Sequence, residues 1–205
     1  MKTLILPVGP LETNCGLVFL ESSRRLFVID PGAEGDRILK TIREEMPKFD
    51  AAEILLTHAH VDHISAAGDV ARALGVERVT LDPADLPLYR SRDNAIMPYL
   101  PAREDLPETA APESGNSYTA IPLPGHSPGG TGYLFSEGGE TLLFAGDTLF
   151  AGSVGRTDLW GGDFDILVKS IRERLFTLPP ETPVRPGHGE GTTIGREIAE
   201  NPYIR

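Results

Sequence analysis

Thr57-His58-Ala59-His60-Val61-Asp62-His63 sets three imidazoles and a carboxylate within six positions. The apolar run Ile54-Leu55-Leu56 precedes it and the amphipathic run from Ile64 to Leu74 follows, so the motif sits at a strand-to-helix turn. Histidine is the commonest metal ligand and ionised carboxylate suits hard cations, so the cluster reads as a metal site. Read instead as a plain polar loop, it would use Asp62 as a helix cap and leave the histidines exposed. Cationic imidazoles so close together repel, which weighs against that reading.

The chain has five histidines. The two outside the motif repeat one phrase, Pro124-Gly125-His126 and Pro186-Gly187-His188, each after a short extended run (120–123 and 182–185). A third run, Leu142 to Ala145, ends at Gly146-Asp147. Four separate strands thus each deliver a candidate ligand into the turn that follows, the way open sheets build sites. A glycine before each of these later ligands lets the backbone turn sharply and come close.

On these residues the chain resembles the metallo-β-lactamase superfamily, with H-x-H-x-D-H, His126, Asp147 and His188 in that family's order. Within it, the chain looks most like the short glyoxalase II-like (hydroxyacylglutathione hydrolase-like) hydrolases. The motifs are Thr13-Asn14-Cys15, Asp30-Pro31-Gly32, Pro124 to Gly129, Gly146-Asp147-Thr148-Leu149-Phe150 and Gly155-Arg156-Thr157-Asp158. The resemblance implies an α/β fold, a four-layer αββα sandwich with its metal site at the sheet edge, as one domain over 1–205. It implies that His58, His60 and His126 hold one divalent ion, that Asp62, His63 and His188 hold a second, and that Asp147 bridges them. Zinc is the first expectation, with iron or manganese as alternatives that imidazole and carboxylate suit equally. Two such ions roughly 3.5–4 Å apart lower the pKa of a shared water toward about 7. The activity implied is a metal-dependent hydrolase using that bridging hydroxide on a thioester of the acyl-glutathione type, with Asp62 accepting the proton. No G-x-S-x-G serine elbow competes with this account. Aspartate at the bridging position resembles thioesterases and lactonases, where true β-lactamases usually carry another residue.

Arg156-Thr157-Asp158 stands where glyoxalase II places the tyrosine and lysine that hold glutathione. That family's C-terminal helical domain has no counterpart before Arg205, so a generic thioester or ester is also expected. Gly155-Arg156-Thr157-Asp158 equally resembles persulfide dioxygenases of the same fold, with one iron on two histidines and an aspartate; the intact second ligand set favours the hydrolase. Arg156, after a glycine-flanked loop, is expected to grip a substrate carboxylate; the competing arrangement pairs it with Asp158. Asp30 is expected to shape its turn and to lie just behind the ligands, and Ser127 and Thr148 to steady them.

A net charge of −11, from 19 basic and 30 acidic residues, weighs against nucleic acid or an anionic membrane as partner and leaves a small molecule. The single cysteine, Cys15, lies in an apolar run and fits a reducing, cytoplasmic setting. No apolar run reaches the ~20 residues that cross a bilayer. Helices are expected over Asp36–Met46, Ile64–Leu74, Phe164–Leu175 with Asp163 as cap, around Leu86–Asn94 and over Thr193–Asn201. The proline-rich segment 82–117 is expected to cover the metal cleft, with Tyr89, Met97 and Tyr99 facing substrate.

Overall fold

The computed structural model describes residues 1–115 and 117–204; Asn116, in the proline-rich segment, and Arg205 lie outside them. Alternating apolar residues in the opening third form the antiparallel meander β1 (Lys2–Val8), β2 (Thr13–Leu20) and β3 (Arg25–Ile29), in register Leu4↔Leu17↔Val28. After α1 (Gly35–Glu45), three strands join in parallel: β4 (Ala51–Leu55), β5 (Arg78–Thr80) and β6 (Glu108–Ala110). Between β4 and β6 lie α2 (Val61–Ile64), α3 (Ala67–Leu74) and α4 (Leu86–Tyr89).

The second half repeats the plan. β7 (Thr119–Pro122), β8 (Thr131–Glu137) and β9 (Glu140–Gly146) run antiparallel, and β12 (Pro183–Pro186) joins β9 in parallel with β13 (Thr192–Thr193) outside it. A small ribbon, β10 (Leu149–Phe150) with β11 (Ser153–Val154), follows β9. The helices of this half are α5 (Phe164–Ser170) and α6 (Ile194–Glu200).

Side-chain alternation along each strand sorts the apolar residues into three layers. Val18, Phe27, Ile29 and Leu55 meet Tyr133, Phe135 and Phe144 between the sheets. Leu17, Leu26, Val28 and Ile54 turn outward against Ile38, Ile42 and Val70. Leu143, Ala145 and Val184 turn outward against Leu167, Ile171 and Ile194. The result is the expected helix–sheet–sheet–helix sandwich. Each large side chain buried in it contributes about 1.5–3 kcal/mol. Phe27 and Phe135 meet edge to face at 5.2 Å, and Gly16 leaves the room in which the Phe144 ring lies on β2.

Three expected helices are interrupted. The Ile64–Leu74 stripe splits because the Ala66 amide turns away to Pro31 O at 2.9 Å, while Ser65 Oγ donates back to Val61 O. The Phe164–Leu175 stripe starts as expected, with the Asp163 carboxylate accepting from Ile166 N, but passes into a π-helical turn over Ile171–Leu175. Leu86–Asn94 is helical only to Tyr89, followed by a separate 3-10 turn at Arg92–Asn94. Among the described residues no helix is long and apolar enough to cross a membrane.

Candidate metal centre

Because β3, β4, β7, β9 and β12 run the same way within their sheets, their carboxyl ends share one rim of the sandwich. Asp30 follows β3, the H-x-H-x-D-H turn follows β4, His126 follows β7, Asp147 follows β9 and His188 follows β12. All the expected ligands come together there. His58, His60 and His126 place ligand nitrogens within 4.8 Å of one another, as do the ligand atoms of Asp62, His63 and His188, and those of His58, His63 and Asp147. The Asp147 carboxylate faces both sets, 3.4 Å from His63 Nε2, 3.6 Å from His188 Nε2 and 3.7 Å from His126 Nε2.

The outer nitrogens fix which inner nitrogens are free. Asp30 turns at φ +49° so that its carboxylate accepts from Thr57 N (2.7 Å), Thr57 Oγ1 (2.6 Å) and His63 Nδ1 (2.9 Å). With its proton committed to Asp30, Thr57 Oγ1 accepts from His58 Nδ1 at 3.0 Å. His126 Nδ1 donates to Arg156 O at 2.7 Å, and His188 Nδ1 to Leu11 O at 2.9 Å. In its neutral form each of these four imidazoles therefore carries its proton outward and turns the Nε2 lone pair to the centre. His60 differs: its Nδ1 lies 2.9 Å from His126 Nε2, which is itself 3.3 Å from His58 Nε2.

With the His58 and His126 protons committed outward, only the His60 ring has a proton to place among these three converging nitrogens. At this rim His60 Nε2, His63 Nε2, Asp62 Oδ1 and Asp147 Oδ1 are buried without a hydrogen-bond partner, four of the seven such side-chain atoms among the described residues. Buried polar atoms are normally paired. Converging lone pairs and orphaned carboxylate oxygens are what divalent cations complete, so the donor set fits the metal ions that the motif implies. Gly187 belongs to the same geometry, since a Cβ there would strike Asp147 Oδ1 and His63 Cε1.

Charge divides the two sets. Burial, then the charges of His63, His126 and His60, push His58 well below the ordinary imidazole range, and burial with His126 takes His60 down to about 3. Burial also opposes the imidazolium at His63, but Asp62, Asp147 and Asp30 outweigh it and raise its pKa well above the ordinary value. At Asp147 burial is likewise outweighed, by His63, His126 and His58, which hold the carboxyl well below the usual carboxylate range.

Some residues sit apart from their expected places. The Arg156 guanidinium pairs with Asp158 at 2.7 and 2.6 Å, both side chains exposed, while its carbonyl receives the His126 proton. Ser127 donates to Asp85 Oδ2 at 2.9 Å, and Thr148 contributes its backbone, accepting from Gly155 N at 3.3 Å. Tyr89 is fully buried with its hydroxyl on Pro107 O, so it is core and not a substrate contact; Met97 and Tyr99 are exposed. Two contributors escaped the sequence reading. Thr13 Oγ1 donates to Asp62 Oδ2 at 3.0 Å, and Asp85, fully buried, accepts from Ala59 N, Ser127 Oγ and Gly129 N. Thr13 lies in a quoted motif; Asp85 looks like any turn aspartate.

The sequence model for the metallo-β-lactamase superfamily matches residues 8–188. Hydroxyacylglutathione hydrolase GloC of Haemophilus influenzae is 34% identical over 100% of this chain and 98% of its own. Among solved structures, the BLEG-1 B3 metallo-β-lactamase superposes with a TM-score of 0.85 at 31% identity, covering 99% of both chains. TTHA1623 in a di-iron-bound form gives 0.80 at 38% identity, covering 98% of this chain and 99% of its own.

Proposed function

The chain belongs to the metallo-β-lactamase superfamily, and on that premise we propose that it is a metal-dependent hydrolase of small thioesters, of the acyl-glutathione type or a simpler acyl thiol. The observation that carries this reading is the pair of adjacent three-ligand sets facing one shared carboxylate, Asp147. The similarity to GloC supports the substrate class. We assign His58, His60 and His126 to one ion and Asp62, His63 and His188 to the other, zinc first, with iron favoured next by the likeness to the di-iron TTHA1623.

Bound divalent ions supply a hydroxide at neutral pH and polarise the acyl carbonyl. The residues of the chain do the rest. Asp62 is the proton acceptor while it still holds metal: Oδ2 accepts from Thr13 and lies 3.1 Å from His188 Nε2, and Oδ1 has no hydrogen-bond partner, so the two oxygens can divide these roles. His126, His63, His58 and His188 have their outer protons committed, and His60, lowered to about 3 by burial and then by His126, is neutral, so none of them offers a ready acid to a leaving group. A thiolate needs little such help because its conjugate acid has a pKa near 8.5. An amine leaving group needs a proton, which favours a thioester over the β-lactam that the BLEG-1 likeness raises as a second reading. A persulfide dioxygenase would need only one iron, and the complete Asp62, His63, His188 set supports the two-ion hydrolase. Arg156 releasing Asp158 to grip an anionic substrate completes the proposal, in a cytoplasmic setting.

The test compares kcat/KM for an acyl-glutathione, a neutral acyl thioester and a β-lactam, beside metal content and oxygen uptake on glutathione persulfide. Two ions per chain with thioester turnover leading is expected. A leading β-lactam rate, or one iron with oxygen uptake, overturns it.

A further inference from the structure

We propose that Asp85 is a positioning residue for the three-imidazole ion site, one carboxylate that sets the spacing between the His58–His60 turn and the His126 turn. It rests on the metal-centre reading and not on the substrate. Asp85 Oδ2 accepts from Ala59 N at 3.0 Å, the amide between His58 and His60, and from Ser127 Oγ at 2.9 Å, the neighbour of His126. Its Oδ1 accepts from Gly129 N at 2.5 Å, two residues further along the His126 turn. All three partners lie on the two ligand-bearing turns. Gly129 is what admits the carboxylate, since a Cβ there would lie 2.8 Å from Asp85 Cβ and 2.6 Å from Asp85 N.

The turn that carries Asp85 does not need this side chain for its own closure. Asp82 caps it, accepting from Ala84 N at 2.8 Å, and the Asp85 amide bonds Asp82 O at 3.0 Å. Behind it, fully buried Leu88 and Tyr89 fasten α4, with the Tyr89 hydroxyl on Pro107 O. A buried ionised carboxylate is costly unless donors hold it, and here those donors are the two turns that present His58, His60 and His126. The proline-rich segment therefore supplies a strut to the ligands from behind.

The experiment titrates Co²⁺ into metal-free wild type, Asp85→Asn, Ser127→Ala and Glu137→Gln against a competing chelator, following stoichiometry, the cobalt d–d bands and thermal melts. Asp85→Asn keeps one acceptor oxygen but cannot accept from all three donors. Its expected result is one of two ions bound roughly 10–100-fold more weakly, with shifted bands for that ion. Ser127→Ala is expected to weaken the same ion by a smaller factor, and Glu137→Gln, remote from the rim, to leave both affinities unchanged. Wild-type affinity and bands in Asp85→Asn and Ser127→Ala, with only the melt lowered, overturn the proposal. If Asp85→Asn does not fold, Ser127→Ala decides alone. Wild type that takes up no Co²⁺ sinks the metal-centre reading, and this proposal with it.

Discussion

At the rim away from the histidines, Glu137 ends β8 and ties the second sheet to the β2–β3 turn of the first. It accepts from Ser22 Oγ (2.6 Å), Ser22 N (2.9 Å) and Glu21 N (3.0 Å), and its other neighbour is the Met1 amine at 3.1 Å. At the ligand rim, Asp62 and Asp147 also draw the two sheets together, yet each leaves one oxygen without a hydrogen bond. Both rims are joined by carboxylates; one set is saturated by the protein and the other is open. An open carboxylate costs stability unless something outside the chain completes it. Asp30 and Asp85 sharpen the lesson, because they lie at the ligand rim but are saturated, and they touch loops and outer nitrogens.

The contrast can be broken most directly at Asp147. Asp147→Ala is expected to lower kcat/KM by roughly 10⁴-fold or more, about 5.5 kcal/mol of barrier, with the circular dichroism of a folded chain. Turnover within tenfold of wild type would mean that the open carboxylate is not where the chemistry sits. Asp30→Asn should cost less, roughly 10–100-fold in metal affinity, because it removes the acceptor for His63 and Thr57 and no ligand; chelator competition reads this. Glu137→Gln should leave turnover alone and reduce unfolding free energy by about 1–2 kcal/mol at pH 7, after allowing for its contact with solvent. Hydrogen bonds from Ser22, then the amide of Glu21 and the Met1 amine, hold the Glu137 carboxyl down at about 2 against an ordinary 4.5. A carboxyl lowered by folding stabilises fully above its unfolded pKa, so the deficit of the variant should shrink as pH falls from 4.5 toward 2, which urea melts at pH 7 and 3 would show. The smallest effect belongs to Arg156→Ala. Its exposed pair with Asp158 is worth about 0–1 kcal/mol, so stability should hardly move while KM rises a few-fold for anionic substrates only. An equal KM rise for neutral substrates would make Arg156 a brace of its loop.

The layered fold was legible because its apolar residues alternate in strands and recur on one face of each helix. The breaks within helices were not, because Ile64, Ala67, Val70 and Ala71 stay buried on one face across the interruption at Ala66. Periodicity records which side faces the core; it does not record that one amide has gone to Pro31 O. β6, β10, β11 and β13 are two or three residues long, too short for a repeat to register. At the centre, the seven ligand candidates announced themselves by residue type at the ends of strands. Asp85 and Glu137 did not, since their donors are mostly backbone amides and small hydroxyls reached across 26 to 116 positions.

Gly187 turns this into a statement about tolerance. It offers no group to an ion, a proton or a substrate, and yet its missing Cβ is the volume that an Asp147 oxygen and the edge of the His63 ring occupy. In a saturation scan scored by turnover, Gly187 should therefore accept fewer replacements than Arg156, whose side chain is exposed. Vacancy at one backbone atom is as much a component of this centre as any of its side chains.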